Sequence, residues 1–132
     1  MSERLLNIAC DVKEQGTAEL AFLGDAVYEL LVREKLVGPP GGSVGALNQR
    51  KIALVNCKAQ FEAMDKLSGY LTEDEAAIFR RGRNMSGGRV PKHAERMHYS
   101  YATGLEVLLG YLYLKNEIGR IRQLFSIIIG ED

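Results

Sequence analysis

Two carboxylic acids lie inside segments that are otherwise almost entirely apolar. Asp25 lies in AELAFLGDAVYELLV and Glu106 lies in ATGLEVLLGYLYL, and neither run contains a Lys or Arg that could neutralise its acid. A buried carboxylate is costly unless it is paired, hydrogen-bonded or bound to a metal ion. The two acids are therefore candidates for a cation site. The alternative is that both lie at the rim of solvent-facing grooves and are capped by backbone donors.

One further oxygen-bearing side chain accompanies each acid. Glu29 follows Asp25 by four residues, and Thr103 precedes Glu106 by three. These spacings put each residue on the same helical face as its acid. Glu29 could support the site, or it could form a surface ion pair with Arg33, which lies four residues further on.

An oxygen-lined site of this kind suits Mg²⁺. This cation takes oxygen ligands, keeps several waters, and is typically held by one or two carboxylates together with a substrate phosphate. Because the constellation contains no His, Cys or Lys, the chemistry it favours is metal-assisted hydrolysis of a phosphodiester.

A basic segment runs from Arg80 to His98. It contains six basic residues and one acidic residue, whereas the rest of the chain has eleven basic and sixteen acidic residues. Arginine binds two phosphate oxygens at once, and such a loop can follow a phosphate backbone without reading bases. The alternative is a solvated charged turn. The candidate nucleic-acid contacts are Arg80, Arg81, Arg83, Asn84, Arg89, Lys92, His93 and Arg96.

The elements that must position these residues have helical periodicity throughout. We expect helices over about 17–36, 43–67, 72–81, 91–115 and 118–129, with a capping box at the start of the third and a glycine-rich loop between the third and fourth. Five or six helices with short connections predict an all-α single domain over residues 1–132.

The first and fourth of these helices have unusual faces. The first has an apolar stripe at 20, 23, 27, 30 and 31, and Phe22, Val32 and Leu36 lie on another face, so its second contact could be another subunit. The fourth is apolar nearly all round over 102–114, which predicts the central helix of the bundle. Gly24 and Gly110 would let these two helices approach closely.

Composition excludes several classes of protein. The chain has 132 residues, a formal net charge of zero and 46% hydrophobic residues, which excludes disorder and a uniformly basic nucleic-acid coat. The N-terminus has no signal-peptide core, and no apolar run reaches the ~18 residues of a membrane span. Cys10 and Cys57 have no metal-site spacing, so we expect reduced thiols in a cytoplasmic protein.

The two acid-bearing segments also resemble those of a known family. LAFLGDAVYELLV is similar to the signature helix of ribonuclease III, usually close to LEFLGDAV, and TGLEVLLGYLYL is similar to the second motif, usually close to DxFEALIGAIYL. ALNQRKIALVN resembles the helix after the signature. The length and the segment RRGRN resemble the Mini-ribonuclease III branch of the family, which has one nuclease domain and no double-stranded-RNA-binding domain.

The resemblance implies both a fold and an activity. It implies the all-α ribonuclease III fold, a homodimer built around the signature helix, and Mg²⁺-dependent cleavage of double-stranded RNA, with Mn²⁺ as a possible substitute. Asp25 and Glu106 take the positions of two family metal ligands. It further implies maturation of a large-subunit ribosomal RNA precursor in a bacterial cytoplasm, with a ribosomal protein as a possible partner that presents the substrate.

The sequence departs from the family pattern at two acids. The signature glutamate is Ala21 here, and the aspartate of the second motif is Thr103. We expect one well-held Mg²⁺, with Glu29 and Thr103 supporting the site from outside the ligand set. A catalytically silent, dimeric module that binds double-stranded RNA is the alternative function. A helical oligomerisation protein that binds no nucleic acid is a third.

Overall fold

The computed structural model describes residues 2–38, 42–85 and 93–130, with the backbone alone for residues 93 and 94. Within these ranges the chain forms a short 3₁₀ turn at Val12–Glu14 followed by helices and no strand, which confirms the all-α prediction. The helices are α1 (Thr17–Val37), α2 (Val44–Leu54), α3 (Cys57–Leu67), α4 (Glu73–Arg83), α5 (His93–Leu114) and α6 (Ile118–Ile129). None of the described helices is long and apolar enough to cross a membrane.

Local capping determines where several helices begin. Thr72 and Glu75 form the expected capping box at the start of α4, and the Ser43 hydroxyl accepts a hydrogen bond from the Ala46 N–H. The expectation of one continuous helix over 43–67 is wrong, because the chain breaks after Leu54. The Asn56 side-chain oxygen accepts a hydrogen bond from the Ala59 N–H and so caps a new helix. This side-chain bond competes with continuation of the first helix.

Helix α5 is the centre of the bundle, as its composition predicts. It packs against α1, α3, α4 and α6. Its inward side chains are almost completely buried; the largest are Leu105, Leu108, Leu109 and Leu112. A helix that is apolar on all sides is stable in water only when other helices cover it.

Glycines allow the closest helix contacts. A Cβ atom on Gly24 of α1 would overlap the Glu106 carbonyl oxygen of α5, and one on Gly110 would overlap the Leu20 carbonyl oxygen. The expected close approach at Gly24 and Gly110 is therefore confirmed. Gly82 of α4 packs in the same way against Gly104 and Val107 of α5.

The buried face of α1 differs from the expected stripe. Its buried residues follow one another at intervals of four: Leu20, Gly24, Tyr28 and Val32. Leu30, which we expected in the buried stripe, is 53% exposed, and Phe22 on the other face is 86% exposed. The contact at Gly24 sets the rotation of the helix about its axis, which apolar spacing alone does not determine.

A partly buried ion pair joins α4 to α6. Arg120 donates to both carboxylate oxygens of Glu75 at 2.8 and 2.7 Å. The Arg120 hydrogen bonds hold the pKa of the Glu75 carboxyl below its usual value. Since the same carboxylate also accepts from the Thr72 N–H, one side chain both caps α4 and ties it to α6.

Candidate active site

The two acids found in the apolar runs meet where α1 crosses α5. The Asp25 and Glu106 carboxyl groups lie within hydrogen-bonding reach of each other. Glu106 is half-buried. Asp25 is exposed, although its apolar neighbours in sequence suggested that it would be buried. Burial, followed by the hydrogen bond and negative charge of Asp25, raises the pKa of the Glu106 carboxyl to about 8.

This arrangement makes the pair a natural ligand for a cation. Two adjacent carboxylates repel each other, so one keeps its proton unless a positive charge compensates. Among the described residues no group of three or more His, Cys, Asp or Glu side chains is arranged to hold a metal ion. A two-carboxylate donor set fits Mg²⁺, which fills its remaining positions with water and substrate phosphate.

The other two residues expected near the acids have partners of their own. The Thr103 hydroxyl is buried and donates to the Tyr99 carbonyl oxygen of its own helix at 3.0 Å. Glu29 forms ion pairs with Arg33 at 2.8 Å and with Lys51 of α2 at 3.2 Å. The hydrogen bonds from Arg33 and then Lys51 lower the pKa of the Glu29 carboxyl. The pair with Lys51 ties α1 to α2. The pair with Arg33 is the surface ion pair within α1 that the four-residue spacing allowed.

Helix α3 brings a residue to the site that the sequence reasoning missed. Gln60 is 4% exposed, and its side chain lies near enough to Glu106 to lower the pKa of that carboxyl. A signal was present in the sequence, because Gln60 occupies an apolar-face position of α3, at helical spacing from Ala63, Met64 and Leu67. Buried polar groups at such positions need partners.

The described part of the basic segment lies at the C-terminal end of α4 and on α5. Arg80 is exposed, Arg81 donates to the Thr17 hydroxyl at 3.2 Å, and the Arg83 guanidinium lies 5.9 Å from the centre of the Phe79 ring. Asn84 ends the helix: its N–H donates to the Arg80 carbonyl oxygen at 2.9 Å, and the Met85 N–H donates to the Gly82 carbonyl oxygen at 3.1 Å. Arg96 is exposed on α5, while Arg89, Lys92 and the His93 side chain lie outside the described residues.

The basic end of α4 runs beside the part of α5 that carries Glu106. Gly82, between Arg81 and Arg83, packs directly on Gly104 and Val107, which flank Glu106 in sequence. The same segment of α5 therefore packs against the arginine-bearing end of α4 and carries Glu106 of the carboxylate pair.

Known proteins share both the sequence and the fold. Residues 18–117 match the family model described as the ribonuclease III domain. The Mini-ribonuclease 3 of Thermoanaerobacter sp. (strain X514) is 43% identical over 83% of this chain and 78% of that protein. The Mini-ribonuclease 3 of Thermosynechococcus vestitus is 42% identical over 86% of this chain and 73% of its own.

A solved structure agrees with these relatives. The crystal structure of a Fusobacterium nucleatum protein superposes with a TM-score of 0.79 at 32% identity, and the match covers 92% of this chain and 98% of that one. With the family model spanning most of the helical bundle, including both acids, the chain belongs to the ribonuclease III family and is an endoribonuclease.

Proposed function

We propose that this endoribonuclease cleaves double-stranded RNA in a reaction that depends on a divalent cation held by Asp25 and Glu106. The observation that carries the proposal is the meeting of these two carboxyl groups at the α1–α5 crossing, beside the basic end of α4. We infer one well-held Mg²⁺ per site, for which Mn²⁺ can substitute, and residues 1–132 acting as a single nuclease domain.

The two carboxylates bind and orient in this mechanism. Glu106 must lose the proton that it keeps beside Asp25, so that both groups can act as ligands. Asp25 and Glu106 would then hold the cation, which would supply Lewis-acid activation of a water and stabilisation of negative charge on the scissile phosphate. Attack by water at phosphorus breaks the bond to the 3′ oxygen, leaving a 5′-phosphate and a 3′-hydroxyl.

The arginines of α4 place the RNA backbone next to the carboxylates. Arg80 and Arg81 extend from the exposed side of the last turns of α4, whose Gly82 packs on the acid-bearing part of α5. An RNA duplex is recognised through its phosphates, its 2′-hydroxyls and its shape. We propose that Arg80, Arg81, Arg83, Asn84, Arg89, Lys92, His93 and Arg96 contact the duplex, and that Glu29 and Thr103 support the helices that carry the acids.

We further propose a homodimer in which each subunit cuts one strand. Phe22, Ala26 and Leu30 lie at intervals of four on α1, and all three are exposed in the single chain. Large apolar side chains on one exposed helix face are typical of a subunit interface. A second copy of α1 would cover them and would place two carboxylate pairs in one particle.

The cellular substrate that we propose is a precursor of large-subunit ribosomal RNA, cut in the cytoplasm with a ribosomal protein as a partner that presents it. This proposal rests on the resemblance of the two motifs to the Mini-ribonuclease III branch. The names of the relatives, Mini-ribonuclease 3, support the ribonuclease activity itself.

The decisive experiment incubates long double-stranded RNA with the wild type and with the variants Asp25→Asn and Glu106→Gln, in Mg²⁺ and in EDTA. We expect cleavage only by the wild type in Mg²⁺, because each substitution removes a charged ligand. Circular dichroism and gel shifts with the same RNA serve as controls for folding and binding. Cleavage by either variant at the wild-type rate would move the metal site elsewhere. RNA binding without cleavage by the wild type would favour the silent module.

A further inference from the structure

Gln60 presents an unsatisfied hydrogen-bond donor inside the bundle. The residue is 4% exposed, and its Nε2 forms no hydrogen bond of acceptable geometry within the described residues. A buried donor left without an acceptor destabilises the folded state, because it has lost its hydrogen bonds to water without replacement. The position of Gln60 on the buried face of α3 therefore requires an explanation beyond packing.

Glu106 is the acceptor that the helix arrangement offers to this donor. Helix α3 packs against α5. Cys57 and Gln60, which lie one turn apart in the first turns of α3, are both close enough to Glu106 to interact with it. Burial and, as the second cause, the negative charge of Glu106 raise the pKa of the Cys57 thiol. The Gln60 side chain lowers the pKa of the Glu106 carboxyl. Asp25 approaches the same carboxyl group from α1.

A carboxylate that binds a cation still has lone pairs for a neighbouring donor. Its two oxygens offer about four acceptor sites, so Glu106 can bind a cation together with Asp25 and also accept a hydrogen bond from Gln60. Donors that orient a ligating carboxylate are a general feature of metal sites.

We propose that Gln60 is a positioning residue whose Nε2 donates to the Glu106 carboxylate and fixes the orientation in which Glu106 binds the divalent cation. This inference rests on the proposed function of the Asp25–Glu106 pair. The inference adds α3 to the site, because Gln60 lies outside both of the segments that carry the acids.

The test measures Mg²⁺ binding without RNA, from the rise in thermal unfolding temperature as Mg²⁺ is added. Gln60→Met keeps the volume of the side chain and removes the donor. We expect its half-saturating Mg²⁺ concentration to rise about tenfold, with cleavage largely recovered at saturating Mg²⁺, because the ligands themselves remain. Met64→Leu, a buried change one turn further along α3, should leave half-saturation unchanged.

Two measurements keep the inference falsifiable if Gln60→Met does not fold. Gln60→Asn shortens the reach of the amide by one carbon and should also raise the half-saturating concentration. In the wild type, the ¹⁵N-detected side-chain amide signal of Gln60 should shift on addition of Mg²⁺. Unchanged half-saturation in the folded variants, or an unmoved Gln60 signal, would overturn the role of Gln60 alone. A wild type whose stability and cleavage ignore Mg²⁺ would overturn the metal site and the role of Gln60 together.

Discussion

The Glu106 carboxyl has two neighbours with opposite effects on its charge. Burial and Asp25 favour the protonated form, while the Gln60 amide favours the carboxylate. The first two effects prevail and raise the pKa to about 8 from an ordinary value of 4.5. A carboxyl that keeps its proton near neutral pH unless a cation is present couples metal binding to proton release.

This raised pKa predicts how stability depends on pH in EDTA. Between its ordinary pKa of 4.5 and about 8, Glu106 is ionised in the unfolded chain and protonated in the folded one. The stabilisation that the protonated Glu106 carboxyl gives the folded state is therefore fully present below the lower pKa, and it is lost as pH rises between the two pKa values. Glu106→Gln cannot lose it, so the variant should become more stable than the wild type as pH increases.

Thermal unfolding from about pH 5 to about pH 9 measures this difference. Addition of Mg²⁺ at the upper end of this pH range should restore the thermal stability of the wild type and leave that of Glu106→Gln unchanged. Glu62→Gln removes an exposed carboxylate from α3 and serves as the control. Parallel pH curves for the wild type and Glu106→Gln would mean that the two carboxyl groups do not share a proton.

At the scale of the elements, the site depends on how closely α1 and α5 approach each other. The backbone of α1 at Gly24 touches the Glu106 carbonyl, so the contact that packs the helices also places the carboxylate opposite Asp25. Gly104 of α5, two residues before Glu106, packs against Gly82 and brings the arginines of α4 close in the same way. The missing side chains at these glycines are thus part of the site.

Gly24→Ala should destabilise the chain by about 1–3 kcal/mol or more, because the added methyl group forces the helices apart. Cleavage should fall as well, since Asp25 and Glu106 separate. Gly119→Ala on α6 is the matched control: its Cβ meets nothing within 4 Å, so helix propensity alone should stabilise the chain by up to about 1 kcal/mol. Urea unfolding of both variants measures the free energies, and equal stability of the two would contradict the close crossing.

At the scale of the whole molecule, the exposed face of α1 predicts the oligomeric state. Phe22→Glu places a charge in the proposed interface, so we expect analytical ultracentrifugation to show a dimer for the wild type and a monomer for the variant. Tyr70→Glu changes another exposed aromatic residue outside α1 and should remain dimeric. A monomeric wild type, or a dimeric Phe22→Glu variant, would show that this face is not the interface.

The charge distribution over the molecule predicts how RNA binding depends on salt. The net charge is zero, so attraction to RNA must come from a local concentration of positive charge, and the arginines at the end of α4 are part of the basic segment that supplies it. Replacing Arg80, Arg81 and Arg83 by Ala in the Asp25→Asn background should weaken binding and flatten the slope of log K against log[salt] by about 1 per lost contact. Arg122→Ala, exposed on α6, is the control. An unchanged slope in the triple variant would place the RNA contact elsewhere.

The sequence by itself determined the features that depend on neighbours along the chain. Apolar spacing and caps such as Thr72 with Glu75 defined most helices to within a few residues. The two acids stood out because charge is rare in apolar helices, and Gly24 and Gly110 indicated the close crossing. The break at Asn56 was missed because apolar periodicity continued through it while the local cap decided the ends of the helices.

Only the tertiary structure decided which side chains meet. Apolar spacing does not give the rotation of α1 about its axis, so Leu30 was assigned to the wrong face. Gln60 belongs to a third helix, and its approach to Glu106 follows from packing between segments far apart in the chain. The raised pKa of Glu106 likewise depends on burial and on Asp25 across the crossing. Local periodicity determines helices, whereas the electrostatics of a site depends on distances that exist only after the helices have packed.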